Sequence, residues 1–194
     1  MLKHILLAIL LLLPTIGQTK GMEDYIKSVY DSGSKHGERM TRSRARMVAV
    51  AIEKWSLHYG IPVDIAVGLV HWESDHFANH IEKEINGRPI PIPHWSFGYC
   101  KVKVSTAKWQ AELEGMDHNR VNGRELIYDI DLNIHLGMAY LRWMLEMKDW
   151  NLTRALNGYQ LGHVGERSKS TEYAKNVMWR ARQYGRWARD NVSN

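Results

Sequence analysis

The sequence predicts a mostly α fold of one domain on three observations. Apolar residues recur at helical spacing over several stretches, helix-starting and helix-stopping residues stand at their ends, and one polar segment with Pro and Gly, residues 75–93, breaks the pattern. At 194 residues and 44% hydrophobic content the chain has enough apolar material for one core and no need of a second. A charged fraction of 24%, without repeats or low-complexity tracts, sets aside the disordered and fibrous classes.

The basic start Met1-Leu2-Lys3-His4 leads into an unbroken apolar run, Ile5 to Leu13, which ends at Pro14. This is the pattern of a signal peptide, and the run is shorter than the roughly 20 residues a bilayer span needs. Thr15-Ile16-Gly17 before Gln18 is the nearest small-residue cleavage site. Residues 1–18 are therefore expected to be a signal peptide, with an uncleaved anchor as the alternative, and the protein to be periplasmic or secreted. Residues 19–40 read as a lead-in segment with a short helix from Met22 to Tyr30, ahead of a domain at 41–190.

From Thr41 to Tyr59 the residues Met47, Val48, Ala51, Ile52, Trp55 and His58 fall on one helical stripe, and Gly60 stops it. Pro62 suits a first helical position and Asp64 the positive end of the dipole, so Ile65 to Trp72 predicts a buried helix with Glu73 at its end. Asp75 to Pro93 predicts an irregular or small β-hairpin insertion, since Ile90-Pro91-Ile92-Pro93 lacks helix donors. Helical spacing returns at Ser105 to Leu113 and breaks between Gly115 and Gly123. It resumes from Leu132 to Trp150, where Leu136, Tyr140, Trp143, Met144 and Met147 mark a central core helix. Trp143, Met144 and Trp150 read as core. Leu152 to Tyr159 and Thr171 to Trp187 complete the helices.

The net charge of +5 and pI near 9.3 suit a polyanionic surface such as a bacterial cell wall, and would equally suit nucleic acid. No nucleic-acid module is recognisable, so no nucleic-acid partner is expected. With Cys100 alone, neither an intramolecular disulfide nor a Cys-based zinc site can form. His71, His76 and His80 lie near Glu73, but the zinc-protease helix needs Glu directly after its first His, so no metal is expected.

Glu73 is the candidate acid. A carboxylic acid transfers protons near neutral pH when apolar surroundings disfavour its charged form, and Ala66-Val67-Gly68-Leu69-Val70-His71-Trp72 supplies such a run directly before it. A glutamic acid in an apolar pocket beside a tryptophan is also the arrangement that lets lysozyme protonate a glycosidic oxygen. Trp72 and Trp95 flank the segment, and aromatic faces of this kind stack on sugar rings.

The features that follow come in a telling order. Glu73-Ser74-Asp75-His76-Phe77 is similar to a Glu-Ser-x-Phe helix end with one added residue, and Ser96-Phe97-Gly98-Tyr99-Cys100-Lys101-Val102 is similar to a Ser followed by a Gly-Leu-Met-Gln turn. Asn133-Ile134-His135-Leu136-Gly137-Met138-Ala139-Tyr140-Leu141 matches Asn-Ile-x-x-Gly-x-x-Tyr-Leu without a gap. Gly158-Tyr159-Gln160-Leu161-Gly162 is similar to Ala-Tyr-Asn-x-Gly, and Tyr173 and Val177 follow. With these motifs the segment from Ile61 to about Met178 resembles the transglycosylase domain of soluble lytic transglycosylases, a goose-lysozyme-like family. Lys101 stands where the family has Gln, and Gln160 where it has Asn.

The resemblance implies a lysozyme-like single domain and cleavage of the bond between N-acetylmuramic acid and N-acetylglucosamine in peptidoglycan, leaving a 1,6-anhydromuramyl end. Glu73 would act as acid and then base, with no cofactor. It further implies that Ser96 bonds near Glu73 or the N-acetyl group, and that Tyr159 and Tyr173 orient the acid and the sugar. Lys101 and Gln160 would contact substrate, Lys101 facing a stem-peptide carboxylate. Asn133, Gly137 and Tyr140 read as scaffold. Peptidoglycan glycan strands are the implied partner, with an envelope-spanning secretion or phage assembly as a further one. Two other readings stay open: a lysozyme-type hydrolase using Asp75, Glu82 or Glu84 to place a water, and a non-catalytic peptidoglycan-binding component.

Overall fold

The computed structural model describes residues 16–34, 38–79, 81–82, 84–85, 88–89, 95–162 and 172–192, and for residues 16–18 and the strands at 81–89 it describes the backbone alone. Among the described residues there are eight α-helices: α1 Ile16–Gly33, α2 Arg42–His58, α3 Val63–Glu73, α4 Val104–Leu113, α5 Gly123–Tyr128, α6 Ile130–Met147, α7 Leu152–Leu161 and α8 Glu172–Val192. Short strands β1 Ile81–Glu82, β2 Glu84–Ile85, β3 Arg88–Pro89, β4 Ser96–Phe97 and β5 Val102–Lys103 form two small antiparallel sheets, ordered β1-β4-β5 and β2-β3. The fold is mostly α with a small β insertion, as the sequence predicts.

Four of the helices start where a polar side chain satisfies their first N–H groups. Thr41 accepts from Arg44 at the head of α2, Asn122 from Arg124 and Glu125 at α5, Asp129 from Leu132 at α6, and Asn151 from Arg154 at α7. The polar interruption after Gly115 thus holds a 3₁₀ turn, His118–Arg120, and the short helix α5. No described helix is long and apolar enough to cross a membrane.

The core is one cluster to which every α-helix contributes. A tight joint in it is the antiparallel crossing of α3 and α8 at Gly68, where a Cβ would lie 2.5 Å from the Val177 carbonyl oxygen and 2.8 Å from the Ala181 nitrogen. At α1 the structure departs from the expected lead-in. The helix is longer than Met22 to Tyr30, and Met22, Tyr25 and Ile26 are buried against α2 and α8 because they form an apolar stripe at spacings of three and four. Thr19 donates to the buried carboxylate of Glu53. The expected signal segment lies outside the described residues as far as residue 15.

Three residues that the sequence places on a helical stripe or in the core are exposed. Met47 and Met147 are each 53% exposed, and Trp150 is 52% exposed. Met47 sits on α2 beyond the arc that Val48, Ala51 and Ile52 bury. The helix carrying Met147 stops there, and Asp149 and Trp150 turn left-handed at φ 50° and 59°. The Trp150 ring then lies over the Arg142 guanidinium at 4.3 Å, outside the core. Met144 is wholly buried, as expected, and Trp143 is half-buried.

His71 is buried and its Nε2 has no hydrogen-bond partner among the described residues, while the Tyr25 hydroxyl lies 3.4 Å from Nδ1. Burial first, and the Arg180 charge next, lower its pKa from 6.5 to about 3. The unfolded chain therefore takes the proton first, and the stability gained by keeping His71 neutral is full above pH 6.5 and is lost as pH falls toward 3, at about 1.4 kcal/mol per pH unit. His135, lowered mainly by burial, acts in the same direction. Urea unfolding at pH 7 and pH 5 will show a smaller loss of stability on acidification for His71→Phe than for the parent. Gly68→Ala will lower stability by about 1–3 kcal/mol, despite alanine's better helix propensity, because the backbone of α8 must move.

Candidate active site

Glu73 is the last residue of α3, half-buried, and one of its carboxylate oxygens accepts a hydrogen bond from the Tyr173 hydroxyl on α8. Tyr173 is 4% exposed, and its pKa is held well above 10 by burial first and the Glu73 charge second. It is a neutral donor at every working pH. The crossing at Gly68 sets this pair: with α3 and α8 in backbone contact there, Tyr173 comes level with Glu73 at the far end of α3.

The chain leaves the site by an uncommon route. Asp75, His76 and Phe77 all have positive φ, at 46°, 66° and 63°, a conformation that costs a non-glycine residue about 1–2 kcal/mol each. The turn absorbs the residue by which this segment exceeds Glu-Ser-x-Phe and still delivers Phe77 to the core. Phe77 is fully buried, with its ring 5.1 Å from that of His71. Asn79 fixes the exit, donating to the Ile127 carbonyl at 2.6 Å.

A second wall is built by α6. Its Asn133 is wholly buried, accepts from the Cys100 N–H at 2.9 Å and donates to the Phe97 carbonyl at 2.9 Å. One side-chain amide thus pins both ends of the tight turn joining β4 to β5. Gly98, at φ 78°, has no room for a side chain, since a Cβ there would lie 2.3 Å from the Asn133 amide nitrogen. Gly137 is equally constrained, because a Cβ would lie 2.5 Å from that of Cys100. Tyr159 on α7 closes the arrangement by donating to the Cys100 carbonyl at 2.9 Å. Burial is the main cause raising the pKa of Tyr159 and of the Cys100 thiol, and the Glu73 charge adds to both. Cys100 and Tyr159 thus feel the charge of Glu73, and Tyr173 touches it directly.

Of the other residues the sequence singles out, Ser96 is buried on β4, paired with Lys103 across the hairpin. Lys101 is half-buried in the turn, at φ 44°. Gln160 is exposed at the end of α7, and its side chain makes no hydrogen bond among the described residues. The Trp72 ring lies beneath the Arg180 guanidinium at 4.4 Å and meets Tyr173 edge-on at 6.4 Å. The Asp75 carboxylate is 2.9 Å from His76 Nδ1. His80 and the side chains of Glu82 and Glu84 lie outside the described residues.

Sequence reasoning missed Cys100 as an acceptor, Asn133 as the clamp and Arg180 as the cover of Trp72. The signal for the first two was the spacing Asn133, Gly137, Tyr140, which puts one face of α6 against one turn. A cavity of about 470 Å³ lies elsewhere, beside Asp117, Asn122 and Asp129. Its polar residues already cap helix starts, which accounts for their presence there.

A family model described as the Transglycosylase SLT domain matches residues 50–180, a span that includes Glu73, Ser96, Lys101, Tyr159, Gln160 and Tyr173. Comparison with curated proteins and with solved structures returns no match.

Asn133→Ala will strand the Cys100 N–H and the Phe97 carbonyl in the core, at about 1–3 kcal/mol for each buried group left unpaired. A fall in unfolding free energy of about 2–5 kcal/mol, read by urea denaturation, is the expected result.

Proposed function

The chain belongs to the transglycosylase SLT-domain family, and from that premise we propose that it is a peptidoglycan lytic transglycosylase with Glu73 as acid and then base. The observation that carries the assignment is the Tyr173 hydroxyl bonded to the Glu73 carboxylate at the end of an apolar helix. It gives the one acid in the cluster a fixed orientation.

In the proposed reaction the Glu73 carboxylic acid gives its proton to the oxygen between N-acetylmuramic acid and N-acetylglucosamine, and that bond breaks. The carboxylate then takes the proton from the muramyl C6 hydroxyl, whose oxygen closes on C1 to form the 1,6-anhydro ring. Atoms balance without water, and Glu73 ends protonated as it began. Tyr173 is suited to both halves because its hydroxyl can donate to the carboxylate and accept from the acid. Ser96 would hold the N-acetyl group, and Lys101 a stem-peptide carboxylate, so amidated stem peptides will bind more weakly. Hydrolysis instead needs a second carboxylate across a gap of roughly 6.5–9.5 Å to hold a water, whereas the Asp75 carboxylate is 63% exposed and faces His76. The signal-peptide pattern and the net charge of +5 fit a protein acting on the wall from the periplasm or outside the cell.

Mass spectrometry of soluble muropeptides released from purified peptidoglycan tests the assignment. Anhydromuramyl products are expected from the parent, and Glu73→Gln will reduce their rate of release by about a hundredfold or more. Reducing ends would overturn the transglycosylase step in favour of a hydrolase, and absence of release would favour a binding role. Tyr173→Phe will slow release by about tenfold or more, the worth of one hydrogen bond to a charged group.

A further inference from the structure

We propose that α1 braces the turn behind the acid: Tyr25 and Gly33 seat the left-handed residues 75–77 and so fix the position of Glu73, a role that rests on the reading of Glu73 as the acid. The helix spans Ile16–Gly33, and the family model begins at residue 50, so the brace lies outside the matched span.

The turn needs outside support. Asp75, His76 and Phe77 stand at φ 46°, 66° and 63°. Asp and His visit the left-handed region more readily than most residues, but a bulky Phe does so rarely, and such a run persists only where its surroundings overdetermine it. Backbone hydrogen bonds tie the start of the turn to α3, from the Ser74 N–H to the Val70 carbonyl at 3.0 Å, from Asp75 to Trp72 at 3.5 Å and from His76 to His71 at 3.3 Å. The side chains beyond are met by α1.

Tyr25 is the first contact. Its buried ring stands edge-on to Phe77 at 6.2 Å and 84°, and to His71 at 6.2 Å and 70°. Across the same ring lie Tyr184 at 5.1 Å and Trp187 at 5.6 Å, both on α8. Tyr25 is thus a wedge between α8, the end of α3 and the turn. Gly33, two turns further along α1, is the second contact. A Cβ there would come within 2.6 Å of His76 Cγ and 2.8 Å of His76 Cβ, so the missing side chain is the seat of the His76 ring.

Two successive residues of the turn are therefore held from one helix, Phe77 by a ring and His76 by the absence of a side chain. Glu73 stands two residues ahead of the turn, and Tyr173 reaches it from α8. Because Tyr25 packs on α8 and on the turn together, it ties the chain leaving the acid to the helix that carries the acid's hydrogen-bond donor. Displacement of the turn would pull Glu73 from that donor, and a misplacement of about 1 Å at a reacting group can cost about a hundredfold in rate. Tyr25 and Gly33 are positioning residues, acting through His76 and Phe77.

Steady-state cleavage of soluble, uncrosslinked glycan strands by the full chain, at a temperature where every variant is folded, tests the brace. Gly33→Ala is expected to lower kcat about tenfold and to leave KM within about twofold of the parent, because its methyl group drives His76 out of place while substrate contacts stay. His76→Gly in the Gly33→Ala chain removes the ring that the methyl meets and puts glycine at φ 66°, which it adopts freely. The methyl then costs nothing, and the double variant is expected to match His76→Gly alone. Thr19→Val loosens the far end of α1, where Thr19 donates to Glu53, and is expected to lower the melting temperature without changing kcat. Additive losses in the double variant, an unchanged kcat in Gly33→Ala, or an equal fall in Thr19→Val would overturn the brace. Hydrogen exchange of the Ser74, Asp75 and His76 amides reads the turn without turnover, and Gly33→Ala is expected to speed it about tenfold. The two readings fail separately. Faster exchange in Gly33→Ala with no cleavage by any variant, parent included, removes the cleavage reading alone, and cleavage by the parent with exchange and kcat unchanged in Gly33→Ala removes the brace alone.

Discussion

The contact on which the site depends is the backbone approach of α3 and α8 at Gly68. Only hydrogen fits between that residue and the Val177 and Ala181 backbone. The closeness is a device for precision. Two helices separated by side chains can slide by a rotamer, whereas helices in backbone contact cannot. The pairing of Glu73 with Tyr173, a turn beyond the crossing, inherits that fixed register. The helix loses about 1 kcal/mol in propensity by having glycine there, and gains an acid whose position does not wander.

The opposite wall is fixed by another kind of force. Asn133 is a fully buried amide, and such a group is tolerated only when its hydrogen bonds are made. Here both are, to the two ends of one turn. Because a shifted turn would strand three polar groups at once, the bond set specifies a single geometry more sharply than apolar packing would. Gly98 and Gly137 are the steric counterpart, each removing a side chain where the turn and α6 touch. The Cys100 carbonyl is thereby held in place to accept from Tyr159.

The fold was largely legible because helix periodicity is a local property. Val48, Ala51 and Ile52, or Leu136 and Met144, announce a buried arc within two turns of chain. What failed were judgements at the edges of those arcs. Met47 and Met147 sit close enough to the stripe to pass on spacing, but whether a flanking position is covered depends on which helix packs beside it, and that is set far away in sequence. Trp150 failed because two residues turned left-handed, which no propensity signals in Asp149-Trp150. The site was legible to a different degree. Glu73 could be read from an apolar run ending in an acid and from motif order, and Tyr173 from the motif alone. The spacing of Asn133, Gly137 and Tyr140 marks one face of α6, but which turn that face meets was not readable, since the two partners of Asn133 lie 36 and 33 residues away. Gln160, taken over by motif position, is exposed at the end of α7 because the residue beside it, Tyr159, takes the inward direction.

The electrostatics of the cluster give the arrangement its chemical sense. Tyr159, Tyr173 and the Cys100 thiol are buried, and burial together with the Glu73 charge holds each well above its ordinary pKa. None of the three ionises near neutral pH. In the proposed reaction the Glu73 carboxyl serves as acid and then as base, and so needs neighbours that suit both of its forms. An ammonium or guanidinium would favour the carboxylate throughout and weaken the acid. A neutral phenol is less partial: it donates to the carboxylate, and after proton uptake its oxygen accepts from the acid. The Tyr173 contact therefore suits both forms of Glu73, which the proposed single-carboxyl chemistry requires.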